Sequence, residues 1–136
     1  MRIISILLLF FLCFSLDALE YTVVSNKAFP FKNLTSKQLK SIYLKKVTYI
    51  NGIEILAINI SATNKLRENF EDKVLHMNKR AIKKYWFKAQ YNGVRPPKVL
   101  KSYENVLSYL SKIQGAIAYV PKEYPLHGLN IIKIQK

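Results

Sequence analysis

Ser61, Thr63, Asn64, Lys65 and Arg67 crowd two hydroxyls, an amide and two cations into one short stretch. Hydroxyl and amide donors beside cations suit an oxyanion such as phosphate, because hydrogen bonds to a charged acceptor are about twice as strong as neutral ones. The same residues also suit a plainer role, in which Asn64 or Thr63 caps its own helix. Elsewhere the chemistry is sparse. His76 and His127 lie far apart and show no metal-ligand spacing, so no metal and no cofactor are expected. His76 follows an apolar helix face and reads as a partly buried core residue, and His127 as a solvated loop residue. Glu68, Glu71 and Asp72 share one helix, where Arg67 and Lys73 balance the Glu68–Asp72 pair better than acid–base work explains it. With no nucleophile, base and metal set, the chain reads as a non-enzyme.

The polar cluster is placed by the stretch from Gly52 to Phe70. Ile53 to Ile58 has the β-branched bias of a strand, Asn59 to Asn64 forms a turn, and Leu66, Phe70, Val74 and Met77 then repeat at helical spacing. A strand that feeds a helix through a turn points unpaired N–H groups and the positive end of the helix dipole at solvent. Anions bind there.

The remaining segments alternate in type. Tyr21 to Ser25 reads as a strand, Asn26 to Asn33 as a loop, and Thr35 with Gln38 as a capping box for a helix carrying Leu39, Ile42 and Tyr43 inward. Asn51-Gly52 predicts a tight reversal. Asn78 caps a helix with Ile82, Tyr85, Trp86 and Ala89 inward and Lys79, Arg80, Lys83, Lys84 and Lys88 outward; Trp86 is expected to pack on Leu66 and Phe70. Ser102 caps the last helix, Gly115 sits where a C-terminal cap belongs, Ala116 to Val120 reads as a strand buried on both faces, and Leu129 to Ile134 closes the sheet. Strands alternating with helices predict an α/β layered domain.

Size and charge narrow the partners. Arg2 followed by an apolar run and the small residue Ala18 predicts a signal peptide over 1–18, leaving a single domain over 19–136 exported to the periplasm, without stable membrane insertion once the signal is cleaved. Losing Arg2 and Asp17 takes 22 basic and 8 acidic residues to 21 and 7, so the net charge stays at +14 and favours anionic partners. Cys13 leaves with the signal, so the rest uses no disulfide. With 18 lysines to 4 arginines, the excess lacks the Arg bias of phosphate-reading surfaces, and no nucleic-acid partner is expected.

Motif order adds a resemblance. Leu34-Thr-Ser-Lys-Gln-Leu39 with Ile42-Tyr43-Leu44, then Asn51-Gly52-Ile53-Glu54-Ile55, Leu66-Arg67-Glu68-Asn69-Phe70, Trp86 with Gly93 and Pro96-Pro97, and Gly115-Ala116-Ile117-Ala118-Tyr119-Val120 follow one another. From Val24 to Val120 the chain resembles the phosphate-type periplasmic substrate-binding proteins, specifically one lobe of the two-lobed type II fold with a mixed sheet flanked by helices. The resemblance implies the binding component of a phosphate ABC transporter. The family's phosphate loop, R-x-x-x-x-S-G-T, reads here as Asn59 and Asn64-Lys65-Leu66, and its Gly-Lys end of the first helix reads Lys45-Lys46. Without that Arg and both hydroxyls the expectation is weak phosphate or oxyanion binding, with Arg67 as partial substitute. The alternative is a ligand-free module that docks on a membrane transporter, porin or sensor protein.

Overall fold

The computed structural model describes residues 20–136, so the signal-peptide assignment for residues 1–18 lies outside the described residues. The chain runs β1 (Tyr21–Ser25), β2 (Asn33–Thr35), α1 (Ser36–Tyr43), β3 (Tyr49–Ile50), β4 (Ile53–Glu54) and β5 (Leu56–Ile60). It continues through α2 (Lys65–Phe70), a π-helical segment (Glu71–Leu75), α3 (Lys79–Tyr91), β6 (Lys98–Leu100), α4 (Tyr103–Lys112), β7 (Ala116–Pro121) and β8 (Asn130–Gln135). Six strands form one mixed sheet in the order β2-β8-β1-β7-β5-β6, and β3 with β4 makes a separate hairpin. β1 is antiparallel to both its neighbours, β7 and β8. The β2–β8, β7–β5 and β5–β6 pairs are parallel. The expected α/β class therefore holds, with helices carrying the parallel crossovers.

The helix starts form as their sequences dictate. Thr35 and Gln38 close the capping box, with Gln38 N–H donating to Thr35 Oγ1 at 3.1 Å and Thr35 N–H donating to Gln38 Oε1 at 2.8 Å. Asn78 and Ser102 cap α3 and α4 through their side-chain oxygens. At the reversal between β3 and β4, Asn51 and Gly52 take φ of 51° and 78°, the left-handed pair that a two-residue hairpin turn requires.

Three expectations need correction. The strand foreseen over Ile53 to Ile58 is split: Ile53 and Glu54 belong to the hairpin, and Asn59 and Ile60 extend β5 instead of starting the turn. The break comes at Ile55, whose N–H donates to Thr48 O at 2.8 Å, while Leu56 N–H already donates to Gly115 O at 2.9 Å. Gly115 is accordingly no helix cap. It lies so close to the hairpin that a Cβ there would run into the Glu54 carbonyl oxygen. His76 is exposed, because it ends the π-helical segment with φ of 53° and turns away from the core. Trp86 is half-buried and packs edge-to-face on Tyr85, ring centres 4.9 Å apart. It packs against the core that holds Leu66 and Phe70 without being fully buried, and the rings gathered round Phe70 are Tyr119 stacked at 3.9 Å, Tyr43 at 4.7 Å and Tyr21 at 5.2 Å.

This aromatic cluster ties α1, α2, β1 and β7 together. Aromatic pairs add about 0.5–1.5 kcal/mol each beyond their buried area. Ala116 to Val120 of β7 are all buried, as expected for a strand covered on both faces.

Candidate functional site

In open α/β sheets ligands bind beyond the carboxyl ends of parallel strands, where neighbouring connections leave in opposite directions. β5 and β7 meet that description. β5 leads through α2 and α3 to β6 on one side, and β7 leads towards β8 on the other. The loop from Ser61 to Asn64 therefore occupies the topological switch point.

The five expected residues stay neighbours in sequence but do not converge. Asn64 caps its own helix, its Oδ1 accepting from Leu66 N–H at 2.8 Å, and its Nδ2 donates to the Tyr103 hydroxyl at 3.1 Å. Its backbone carbonyl accepts from Glu68 N–H. Asn64 thus joins the starts of α2 and α4 and is committed to the fold. Ser61 is half-buried, and its carbonyl accepts from Asn64 N–H at 2.9 Å, closing the turn. Thr63 and Lys65 are exposed.

Arg67 is the decisive residue. Its Nε donates to Glu71 Oε1 at 3.2 Å and its Nη1 donates to the Ile60 carbonyl at 3.0 Å, closing the carboxyl end of β5. The Arg67 and Glu71 side chains are only 13% and 9% exposed. Burial pushes the Glu71 carboxyl above its ordinary range, against the pull of the Arg67 guanidinium. Attraction within the pair does not fully offset the desolvation of the carboxylate, as is common for buried ion pairs. The cation best suited to hold an external anion is already held by an internal one.

Behind this pair lies a polar seam that the sequence did not reveal. Tyr119 donates its hydroxyl to Asn59 Oδ1 at 2.6 Å, and Tyr43 donates to the Ile58 carbonyl at 2.9 Å. Burial drives both phenols upward, with each remaining protonated as a donor. Asn59, Glu71 and Tyr119 matter to the site, yet only the four-residue spacing of Arg67 and Glu71 was a readable signal.

Thr63, Arg67 and Glu71 open on a groove of about 920 Å³, bounded by Ile82, Trp86 and Phe87 of α3 and by Val99 of β6. Lys79, Arg80 and Lys83 stand at its edge. Among the described residues no cluster of His, Cys, Asp and Glu is arranged to hold a metal, and no helix is long and apolar enough to cross a membrane.

No protein-family model matches the chain, and no curated protein matches it either. Among solved structures, the fold is shared by an ABC-type phosphate transport receptor from Vibrio cholerae, at 21% identity and a TM-score of 0.67, covering 85% of this chain and 46% of that one. A phosphate ABC transporter substrate-binding protein with bound phosphate from Clostridium perfringens matches at 19% identity and a TM-score of 0.68, covering 84% and 44%. PstS from Borrelia burgdorferi matches at 18% identity and a TM-score of 0.67, covering 85% and 47%. The chain spans less than half the length of each of these proteins. The architecture is that of the phosphate-binding proteins, a mixed sheet flanked by helices, and agrees with the resemblance read from the motifs.

Proposed function

We propose that this chain is an exported, non-enzymatic binding-protein lobe whose oxyanion site is weak because it carries its own counter-charge. The observation behind this reading is the buried contact between Arg67 and Glu71 at the end of β5. Phosphate entering from the groove meets Thr63, with exposed Lys65 opening α2 nearby, but gains Arg67 only by competing with Glu71. Ser61 and Asn64 contribute by shaping the loop, since both already serve its turn and cap.

The magnitudes place the affinity. A helix start contributes about 0.3–1 kcal/mol to a nearby anion, and one or two charge-assisted bonds about 1.5–3 kcal/mol each. A total near 4 kcal/mol corresponds to a dissociation constant of roughly 1 mM. Calorimetry with phosphate at low ionic strength tests this. The expected constant is no tighter than about 0.1 mM, weakens with salt, and is lost in Arg67→Ala. Tight binding that survives Arg67→Ala sinks the assignment.

A second reading is favoured by the groove beside the site. Its apolar floor, with Phe87 62% exposed, is a surface suited to docking on a membrane transporter or sensor protein. Absence of any phosphate binding, together with a saturable complex with such a membrane partner, selects this reading over the first.

A further inference from the structure

The outer face of α3 combines two features that the anion site does not use. Lys83, Lys84 and Lys88 are exposed along it. Between them Phe87 and Tyr91 stand 62% and 80% exposed and touch each other edge-to-face, ring centres 5.7 Å apart. The sequence pattern alone predicted a solvated lysine face. Large aromatics this exposed, in contact with each other and ringed by lysine, carry an apolar cost that plain solvation leaves unexplained.

We propose that this face is a peripheral docking surface for an anionic lipid bilayer, with the lysines at the headgroups and Phe87 and Tyr91 in the interfacial layer. Charge complementarity and residue type select this occupant. A second copy of the chain is disfavoured, because each copy brings a net charge of +14 to the contact. An acidic protein or a nucleic acid is better read by the planar, bidentate guanidinium group, whereas the outward cations of α3 are four lysines, Lys79, Lys83, Lys84 and Lys88, to one arginine, Arg80. Lysine is a compact, strongly hydrated point charge, sufficient for the diffuse field of a bilayer. Aromatic rings with a polar or basic surround favour the interface between water and hydrocarbon. Lys83 and Phe87 also border the groove beside the oxyanion site, so a bilayer would take the ring that the transporter or sensor reading uses, but none of the residues of this face is among those assigned to hold the anion.

Trp86 is the only tryptophan and lies beside Phe87, so it reports on this face even where another segment of the full chain touches lipid. The experiment mixes the full chain with brominated vesicles of phosphatidylcholine alone or phosphatidylcholine with phosphatidylglycerol, and follows quenching of Trp86. Quenching is expected with phosphatidylglycerol and not without it, decreasing as salt rises. Lys83→Glu/Lys84→Glu/Lys88→Glu should weaken the response by about tenfold or more. Phe87→Ala/Tyr91→Ala should reduce it several-fold and remove the part that resists salt; these rings are exposed, so folding is expected to survive, with circular dichroism as the check. Three results overturn the inference. They are the absence of quenching by phosphatidylglycerol vesicles at low salt, quenching that the aromatic variant leaves unchanged, and polyglutamate or duplex DNA being bound through these residues more tightly than the vesicles.

Discussion

Glu71→Gln isolates the proposed brake on anion binding. The substitution keeps an oxygen within reach of Arg67 Nε, which now sits 3.2 Å from Glu71 Oε1, but removes the negative charge. The Arg67 guanidinium stays charged, so its bond to the amide oxygen stays charge-assisted; what is lost is the attraction of the second charge, worth about 1 kcal/mol or somewhat more for a partly solvated pair at this distance. An incoming dianion therefore competes against about 1–1.5 kcal/mol less, and its affinity should rise roughly five- to tenfold. Sulfate is the suitable probe, because its charge does not change between neutral and mildly acidic pH. Calorimetry at low ionic strength should show the gain at neutral pH. As pH falls through the raised pKa of Glu71 the parent should approach the variant, because protonation removes the same charge. Equal sulfate affinity in parent and variant at neutral pH refutes the idea that Glu71 occupies the site.

Folding stability gives the same group a second signature. A carboxyl whose folded pKa lies above its unfolded value binds more protons when folded between the two, so its stabilising contribution is complete below the ordinary value of 4.5 and is lost as pH rises through the folded pKa. In urea titrations the parent should gain stability on acidification relative to Glu71→Gln, and identical pH profiles would count against a buried, desolvated Glu71. Tyr119→Phe should cost about 1–3 kcal/mol in the same assay, since it leaves Asn59 Oδ1 buried without its donor; an unchanged midpoint contradicts the seam. Gly115→Ala should destabilise more than Gly52→Ala, because its Cβ meets the Glu54 carbonyl while Gly52 faces open space and bears only backbone strain. The reverse order denies the tight passage of β7 past the hairpin. Intact-mass analysis of secreted protein should find a start near Leu19, and material retaining Met1 to Leu16 contradicts cleavage.

Local rules made much of this fold readable. Thr35, Asn78 and Ser102 act as caps because each needs only its own next few residues. Asn51-Gly52 makes its turn for the same reason. What escaped sequence reading depends on distant partners. Gly115 is set by Glu54, far away in the chain, and the rings round Phe70 come from Tyr43 and Tyr119 on other elements. The site follows this division. That Asn64 caps α2 was open to reading from residue type, whereas the choice of Glu71 over solvent as the partner of Arg67 depends on burial beside the end of β5. Asn59 looked like a turn residue until β7 supplied Tyr119 as its donor.

The most direct test of a weak, internally opposed oxyanion site is a phosphate titration followed by the backbone amide signals of the folded protein. Shifts should concentrate at Thr63 to Arg67, extend to Glu71 as its hold on Arg67 is disturbed, and saturate with a constant between about 0.1 and 1 mM. Saturation at micromolar phosphate, or shifts confined to the lysines of α3 with the β5–α2 loop silent, would contradict the account.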